Sequence, residues 1–360
     1  MTSITTAVIG GSGFTGAELA ELLLRHPSLR LTHISSDSQA GMPVAAALPR
    51  VRTDLSFCRH DEVTGVEAAF LCLPDHSAAP IARRLLEEGT RVVDLSPDFR
   101  LGAADYEAWY GPHPFPEMLP GVYGLTELHR DEVAAAQLVA NPGCYPTAAL
   151  LALTPLLPLG LREVVIDAKS GVSGAGKTPS ETTHFCTVDE DVLVYGVGGH
   201  RHYPEIAAGI GANGAAQEHY RAADAGGAAG TDTSATSGVR AGTADAGGPS
   251  LVFQPQVVPL QRGILETIYV RLADTPTTAE LRARFAEAYA DELFVELCDS
   301  PPRLREVAGT NYCRIFIALD ERSGIVLLVA AIDNLLKGAV GQALQNMNVM
   351  LGLPEQEGLM

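Results

Sequence analysis

The sequence predicts an α/β protein in which a doubly wound, parallel-sheet domain is followed by a second, α+β domain. Three observations support this fold class. Strand-like and helix-like segments alternate through roughly the first 150 residues, a glycine-rich turn joins the first strand to the first helix, and the strands lengthen after about Glu163. At about 150 residues per domain, a chain of 360 residues fits two domains.

The first half of the chain alternates between β and α periodicity. A short β-rich run leads into the turn Gly10–Gly16, and a helical segment follows it as far as His26-Pro27. Because such alternation is typical of parallel strands joined by crossover helices, we expect one doubly wound sheet. The predicted strands are Thr5–Gly10, Leu29–Ser35, Val66–Leu73 and Arg91–Leu95, and the predicted helices are Ala17–Leu24 and Ala79–Glu88.

The second half has longer strands, which are typical of a mixed or antiparallel sheet, and it ends in a helical segment over Leu335–Met350. Residues 222–250 are almost entirely Ala, Gly, Thr, Ser and Asp. Because such a stretch cannot offset its ordering entropy by burial, it is predicted to be a flexible insertion. The predicted strands are Val164–Ser170, Leu251–Val258, Gly263–Leu272, Arg314–Asp320 and Ile325–Ile332, with a helix over Thr278–Ala290.

The chain is acidic, since 43 Asp and Glu against 25 Lys and Arg give a net charge of −18. Such a surface repels nucleic acid and anionic lipid, so we expect neither as a partner, and an anionic substrate must meet a local positive pocket. The six cysteines form no CxxC pair, which indicates free thiols in a reducing compartment. With no signal-like start and no apolar run of about 18 residues, the expected location is the cytoplasm.

The glycine-rich turn has the spacing Gly11-x-Gly13-x-x-Gly16 between a strand and a helix. The first glycine permits the tight turn, the second lets the backbone approach a pyrophosphate, and the third lets helix and strand pack closely. This context predicts a Rossmann-type dinucleotide site rather than an ordinary βα turn, with the phosphates at the helix N-terminus. The predicted contacts are Gly11, Ser12, Gly13, Phe14, Thr15 and Gly16.

The end of the second strand should select the cofactor. An acidic residue about 20 positions after the turn would bind the ribose hydroxyls of NAD. Here the strand ends in Ser35-Ser36-Asp37-Ser38, where the serines suit the 2′-phosphate of NADP and Asp37 is ambiguous. NADP is therefore the predicted cofactor, with Ser35 and Ser38 as contacts.

Cys144 lies in the string NPGCYPT, just before a helix predicted over Ala148–Leu156. A thiol at this place meets the positive end of the helix dipole and free backbone N–H groups, which favour a thiolate and stabilise an oxyanion beside it. The alternative is a buried structural cysteine. Because glycine and two prolines indicate a turn rather than a core segment, the predicted role is that of a nucleophile.

Two histidines, His200 and His202, follow a glycine-rich turn, and Glu205 lies just beyond them. A nucleophilic cysteine needs an acid or base partner, and imidazole titrates near the working pH. The i, i+2 spacing on an extended segment would place both rings on one side, which also allows a metal site or a plain pair of loop histidines. Because no third ligand has a recognisable spacing, no metal is predicted.

The segment GVSGAGKT at residues 171–178 follows a strand and matches the phosphate-loop pattern of ATPases and kinases. Pro179 follows at once, and a dinucleotide fingerprint already lies at the N-terminus. We therefore interpret this segment as a flexible loop near the active site that tolerates phosphate, rather than as an NTPase site.

The string DLSPDFR at residues 94–100 ends the fourth strand, at the edge where open α/β sheets bind ligands. Ser96 is the predicted cofactor contact in this string. The alternative is that the string forms a helix cap or a turn.

Together these strings resemble the N-acetyl-γ-glutamyl-phosphate reductases, a branch of the aspartate-semialdehyde dehydrogenase-like reductases. The resemblance spans nearly the whole chain and implies a homo-oligomer, a dimer or a tetramer. It implies NADPH-dependent reduction of N-acetyl-glutamyl 5-phosphate, an acyl phosphate, through a cysteine thioester in arginine biosynthesis. The strings that carry it, in order, are GGSGFTGAEL, DLSPDFR, NPGCYPTAALLALTPL, SGVSGAGK, GHRHYPEI, RGILETIYV and DNLLKGAVGQALQNMN.

The resemblance also implies the roles of single residues and the domain limits. The C-terminal helix would return to the first domain, giving a dinucleotide-binding domain of residues 1–145 and 331–360 and a catalytic domain of residues 146–330. Two features depart from the family: the insertion, and the lack of an arginine soon after strand two to bind the NADP phosphate. The implied roles are Cys144 as nucleophile, His200 as acid or base, His202, Glu205 and Arg262 around the substrate, and Ser173, Gly174 and Asn334 near the nicotinamide.

Two alternatives stay open. A related acyl-phosphate reductase would act on an aminoadipate derivative of lysine biosynthesis or on aspartyl phosphate; DLSPDFR and HRH favour the glutamate enzyme over the aspartyl one but do not decide against the longer substrate. An NADP-binding regulator would keep the glycine turn and carry a silent Cys144. Thiol reactivity measured against pH separates the enzyme from the regulator. A catalytic Cys144 should react at pH values well below the ordinary thiol pKa of about 8.5.

Overall fold

The computed structural model describes residues 3–212, 248–274 and 276–360. The predicted insertion 222–250 therefore lies outside the described residues, apart from its last three. Of these three, Ser250 is already the first residue of a strand, so the insertion ends earlier than the composition indicated.

The N-terminal half forms a six-stranded sheet in which every neighbouring pair of strands is parallel, as predicted. Its order is β2-β1-β3-β4-β6-β5. Two very short strands, β5 and β6, were missed because two or three residues give no periodicity to detect. The strands are β1 Ile4–Ile9, β2 Leu29–Ser35, β3 Ala68–Leu71, β4 Arg91–Asp94, β5 Val122–Tyr123 and β6 Leu138–Ala140.

Helices cover this sheet on both faces, so its central strands are the most buried; all four residues of β3 are buried, for example. The first helix begins at Phe14, directly after the glycine turn. The helices up to the middle of the chain are α1 Phe14–Leu23, α2 Val44–Ala47, α3 Ala78–Glu87, α4 Ala103–Tyr110, α5 Thr126–Ala135 and α6 Cys144–Leu153.

Helix α6 differs from its predicted bounds at both ends. It begins at Cys144 rather than at Ala148, and it ends at Leu153, where a 3-10 turn with Pro155 and Pro158 replaces the last predicted turn. Proline has no N–H and clashes with the preceding turn, which explains the early end. Every residue of α6 after Cys144 is buried, because the helix belongs to the largest apolar cluster of the described residues.

The C-terminal half forms a seven-stranded mixed sheet of order β11-β12-β13-β10-β7-β9-β8, which confirms the predicted α+β domain. Helix α6 packs on one face of it, among the side chains of β7, β10 and β13. Its strands are β7 Leu161–Ser170, β8 Leu193–Val194, β9 Ser250–Val257, β10 Ile264–Leu272, β11 Val295–Cys298, β12 Cys313–Asp320 and β13 Ile325–Ile332. The remaining helices are α7 Phe185–Val188, α8 Tyr203–Ile210, α9 Thr278–Ala288, α10 Leu304–Val307 and α11 Gly341–Met350.

The end of the chain returns to the first sheet. Leu336–Val340 forms a π-helical turn, and α11 follows it, so the single predicted helix is divided into two parts. Leu344 and Met347 of α11 share a buried cluster with Phe70 and Val93 of the parallel sheet. The described residues include no helix with both the length and the apolar character to cross a bilayer.

Candidate active site

Cys144 is the first residue of α6, and Gly143 is the N-cap, with no side chain capping the helix. The carboxyl end of β4 lies alongside, because the Asn141 N–H donates to the Asp94 carbonyl at 2.8 Å. Gly338 of the π-helical turn lies against Cys144, since a Cβ on residue 338 would come within 2.8 Å of the Cys144 Cβ. Cys144 therefore occupies the junction of both domains and the C-terminal segment.

Burial raises the pKa of the Cys144 thiol to about 12, although Arg100 and the Tyr145 backbone N–H both act to lower that pKa. The helix N-terminus alone predicted a depressed thiol pKa. Desolvation is the larger effect in the free protein, so the neutral thiol is the resting form and a base must take its proton.

The two predicted histidines lie beside this turn, with ring centroids 5.0 Å apart. His202 packs directly on Gly143, since a Cβ there would come within 2.6 Å of the His202 Nε2. The His202 backbone N–H donates to the His200 Nδ1 at 3.1 Å, which fits the His200 tautomer that carries its proton on Nε2. A turn and the start of α8, rather than an extended segment, bring the rings together.

Both histidines are neutral near pH 7. Burial lowers the pKa of His200 to about 4, with a smaller contribution from Arg201. Burial also lowers the pKa of His202 well below its usual value, and His200 and Arg100 act in the same direction. A neutral imidazole beside a neutral thiol can accept its proton.

Glu205 supports the turn that carries Cys144. Its Oε1 accepts the Gly143 N–H at 2.8 Å and the Tyr123 hydroxyl at 2.7 Å, and its Oε2 lies 3.5 Å from the Arg100 guanidinium. The family resemblance placed Glu205 at the substrate. In the structure its carboxylate is occupied by protein groups, so it holds the backbone of Gly143 in place.

Arg100 is a site residue that the sequence analysis quoted only within DLSPDFR. Its guanidinium donates to the Asn141 carbonyl at 2.8 Å and to the Leu95 carbonyl at 2.7 Å, and it faces Glu205. Its position just after the carboxyl end of β4 could have identified Arg100 from the sequence, because ligands bind at that edge of parallel sheets.

Arg262 lies between the domains and lines the cleft beside α1. Its guanidinium forms ion pairs with Glu18 of α1 and, at 3.3 Å, with Asp333. In the structure these two carboxylates hold Arg262 as a bridge across the cleft, and its role at the substrate stays a prediction.

The three residues predicted near the nicotinamide come together. The Asn334 side-chain amide donates to the Ser173 hydroxyl at 2.9 Å and accepts the Gly263 N–H at 2.7 Å. A Cβ on Gly174 would lie 3.8 Å from the same Asn334 amide nitrogen. The loop at residues 171–178 and the segment before the π-helical turn thus form one wall.

The loop at residues 171–178 is not an NTPase phosphate loop. The N–H groups of Val172 and Ser173 donate to the carbonyls of Leu260 and Gln261, so they cannot cradle a phosphate. The next α-helix begins only at Phe185, whereas a phosphate loop opens directly into a helix.

The glycine turn has the shape that a dinucleotide requires. A Cβ on Gly16 would lie 2.5 Å from the Gly10 carbonyl oxygen, and a Cβ on Gly11 would overlap Ile34, so both glycines are fixed by packing. At Gly13 a Cβ would meet no atom closer than 4.0 Å. Gly13 is the uncapped N-cap of α1 and faces open space where a pyrophosphate can approach.

This turn borders a cleft of about 730 Å³ between the domains. Ser12, Gly13 and Phe14 lie on one side of it, and Ser173 and Lys177 lie on the other. The volume is in the range of pockets that hold a cofactor or drug-sized molecule.

The serines at the end of β2 have different orientations. Ser35 is fully buried, and its hydroxyl contacts the His60 Nδ1 at 2.8 Å, so its predicted contact with the cofactor through the hydroxyl is not available. The hydroxyl of Ser36 instead donates to the Ser12 hydroxyl at 3.0 Å and lies 3.3 Å from that of Ser38. Because successive side chains of a strand point to opposite faces, Ser35 and Ser36 point in opposite directions, and it is Ser36 that points toward the glycine turn.

Ser96 is also buried, and its hydroxyl donates to the Asp94 carboxylate at 2.6 Å. Its backbone N–H also donates to Asp94, at 3.1 Å. Burial raises the pKa of Asp94 to about 7, against opposing hydrogen bonds from Ser96.

His200 and His202 belong to no group of three metal-ligating side chains in the part of the chain that the structure describes. Within that part, the one such group is Glu127, Glu292 and Glu355. Arg130 and Lys337 form ion pairs with these carboxylates, so cations of the protein already occupy the cluster.

Comparison with known proteins agrees with this geometry. The description "Semialdehyde dehydrogenase, NAD binding domain" matches residues 5–136, and "Semialdehyde dehydrogenase, dimerisation domain" matches residues 144–221 and 239–334. The chain belongs to the semialdehyde dehydrogenase family.

Within this family, a relative from Dehalococcoides mccartyi named N-acetyl-gamma-glutamyl-phosphate reductase is 43% identical to this chain. The match covers 100% of this chain and 98% of the relative. The relatives of that name in Geobacter metallireducens and Pseudomonas aeruginosa share 42% and 41%, each over 99% of this chain and 98% of the relative. These matches confirm the resemblance that the sequence strings indicated.

Solved structures of the family share the fold at low identity. Aspartate semialdehyde dehydrogenase II of Vibrio cholerae, complexed with ASA, superposes with a TM-score of 0.68 at 17% identity, over 98% of this chain and 99% of that one. Aspartate semialdehyde dehydrogenase with NADP from Candida albicans gives 0.64 at 14% identity, over 97% and 99%. The predicted fold, a parallel-sheet domain followed by an α+β domain, is thereby confirmed.

Proposed function

We propose that this protein reduces N-acetyl-γ-glutamyl phosphate to N-acetylglutamate 5-semialdehyde and phosphate with NADPH, as a step of arginine biosynthesis. The observation that carries the proposal is Cys144 at an uncapped helix N-terminus, with Arg100 and His202 against the adjacent Gly143. In the same chain, the dinucleotide turn borders the cleft beside α1. The names of its full-length relatives supply the substrate.

The first half of the reaction follows from the neutral thiol and the neutral histidines. The Cys144 sulfur attacks the acyl carbon, its proton passes to an imidazole, and the bond from carbon to the phosphate oxygen breaks, leaving a thioester on Cys144. The Nδ1 of His202 has no hydrogen-bond partner among the described residues, so it can accept this proton. Arg100 provides the positive charge that offsets the developing anion.

The second half of the reaction needs a hydride, which NADPH supplies when bound. The protein must then stabilise negative charge on the former acyl oxygen until the sulfur leaves and the aldehyde forms. His200 is proposed to stabilise this oxygen by donating a hydrogen bond from Nε2–H, because its Nδ1 already accepts a hydrogen bond. The returning thiolate recovers its proton from the histidine pair.

NADP is the proposed cofactor, in preference to NAD. The hydroxyls of Ser12, Ser36 and Ser38 form one cluster at the end of β2, which suits a 2′-phosphate. The Asp37 carboxylate instead accepts the His60 backbone N–H at 2.9 Å, so one of its oxygens is already used within the protein. The wall of Ser173, Gly174 and Asn334 would face the nicotinamide.

We propose a dinucleotide-binding domain of residues 1–145 with 331–360, a catalytic domain of residues 146–330, and a homo-oligomer formed through the second sheet. The face of that sheet opposite α6 exposes Val252 of β9 and Tyr269 of β10. Exposed apolar side chains on a broad sheet face are typical of an interface, and the match to a dimerisation domain supports this assignment.

The test is phosphate-dependent reduction of NADP by the purified protein. N-acetylglutamate semialdehyde is compared with the aminoadipate and aspartate analogues, and NAD serves as the cofactor control. A strong preference for the acetylated glutamate substrate supports the proposal. A preference for another semialdehyde would keep the chemistry and change the substrate, and no phosphate-dependent turnover with any of them would contradict the proposal.

A further inference from the structure

The chain has only three lysines, Lys169, Lys177 and Lys337. Lys169 forms an ion pair with Asp167, and the buried Lys337 forms one with Glu127. Lys177 differs, because its Nζ donates to the backbone carbonyl of Ser12 at 3.1 Å and no carboxylate of the described residues pairs with it.

Lys177 is also unlike the other cations of the cofactor cleft. Arg50 lies 2.8 Å from the Glu21 carboxylate, and Arg262 lies between Glu18 and Asp333. Among the described residues that line the cleft, Lys177 is thus the cation whose charge no carboxylate offsets. In a protein with a net charge of −18, an anionic cofactor needs such a local positive charge.

The position of Lys177 points to one part of the cofactor. Its Nζ contacts Ser12, the residue before the uncapped Gly13 N-cap of α1, and both Ser12 and Gly13 line the cleft. Gly176 has a φ of +83°, a left-handed conformation that glycine adopts at no steric cost, and it turns the chain so that Lys177 reaches back across the cleft. The fingerprint places a pyrophosphate at this N-terminus.

We infer that Lys177 is a ligand of the cofactor pyrophosphate, supplied by the second domain, which exchanges the Ser12 carbonyl for a phosphate oxygen when the dinucleotide binds. The inference rests on the proposed dinucleotide-dependent function. In this segment the N–H groups of Val172 and Ser173 are occupied, so the lysine side chain is the group that would meet a phosphate. Lys177 also becomes a contact that closes the two domains over the cofactor.

The experiment measures the dissociation constants of NADPH and NADH by fluorescence titration at fixed ionic strength. Wild type is compared with Lys177→Met, Lys177→Arg and the control Arg322→Met, which removes one cation from a side chain that is 93% exposed on a hairpin outside the cleft. Because NADH lacks the 2′-phosphate, a pyrophosphate ligand should affect both cofactors. We expect Lys177→Met to raise both constants on the order of 10-fold, the usual weight of a hydrogen bond to a charged group.

Lys177→Arg should retain most of the affinity, and Arg322→Met should bind as wild type does. Unchanged binding of both cofactors by Lys177→Met, with an unchanged urea midpoint, would overturn the inference while leaving the proposed function intact. Loss of NADPH affinity alone would overturn the pyrophosphate assignment in favour of the 2′-phosphate. If wild type binds neither cofactor, the proposed function itself fails and this inference with it.

Discussion

Gly143→Ala tests how strongly activity depends on the positions of the side chains around Cys144, because it displaces them without removing any. The backbone of Gly143 has φ −65° and ψ 156°, which alanine adopts without strain. The new Cβ would nevertheless come within 2.6 Å of the His202 Nε2 and 3.1 Å of an Arg100 nitrogen. No catalytic side chain is removed, so any loss of activity reports on position.

The size of the effect follows from these distances. Ordinary contacts at a Cβ begin at 3.4 Å, so His202 must retreat by about 1 Å. Misplacing a catalytic group by about 1 Å costs about 100-fold in rate, which corresponds to roughly 2.7 kcal/mol of activation free energy. Overpacking should lower the free energy of unfolding by about 1 to 3 kcal/mol.

Gly102→Ala is the matched control. Gly102 is likewise an uncapped helix N-cap, with φ −63° and ψ 157°, but a Cβ there would meet nothing within 4 Å. We expect Gly143→Ala to reduce kcat about 100-fold in the phosphate-dependent assay while NADPH affinity stays the same, and Gly102→Ala to match wild type. Near-normal kcat for Gly143→Ala, or equal losses in both variants, would refute the reasoning.

Three other predictions follow from the same site. Cys144→Ser should bind NADPH normally and lose most turnover, and activity close to wild type would exclude Cys144 as the nucleophile. Because the pKa of His200 is lowered from 6.5 to about 4, its contribution to stability is present above pH 6.5 and is lost as pH falls toward 4, by up to about 3 kcal/mol. The free energy of unfolding, measured with urea from about pH 4 to 7, should therefore fall more steeply with falling pH for wild type than for His200→Asn. The same pH dependence for both proteins would contradict the lowered pKa. Ser36→Ala should weaken the binding of NADPH more than that of NADH, as measured by titration. Equal losses of affinity for the two cofactors would exclude Ser36 from the 2′-phosphate site.

Local signals in the sequence predicted the parts of the site that are local in the chain. The glycine spacing between a strand and a helix identified the dinucleotide turn, and the prolines around Cys144 identified a turn before a helix. Each of these features depends on residues within one or two turns of one another, which is the range over which backbone preferences act.

Long-range contacts account for what the sequence left out. Arg100 and Glu205 are 105 positions apart, and their meeting at Gly143 depends on how both domains pack around α6. Arg262 became a bridge because the fold places Glu18 and Asp333 on either side of it. No spacing rule in a single sequence relates such residues.

The orientation of side chains is a second feature that the sequence did not show. Ser35 was predicted at the cofactor, yet it faces His60, whereas the adjacent Ser36 reaches Ser12. The bounds of β2 were correct, but neither its bounds nor its composition shows which face of its last residue the neighbouring loop covers. That choice is made by packing of the segment at residues 58–62, far along the chain.

The central claim is that Cys144 carries the acyl group as a thioester. The most direct measurement is to mix the enzyme with N-acetyl-γ-glutamyl phosphate in the absence of NADPH and to follow phosphate release and the mass of the protein. We expect a burst of about one phosphate per active site, with one added N-acetylglutamyl group that maps to Cys144 and is absent from Cys144→Ser. Release of phosphate without a covalent adduct, or an adduct at another residue, would contradict it.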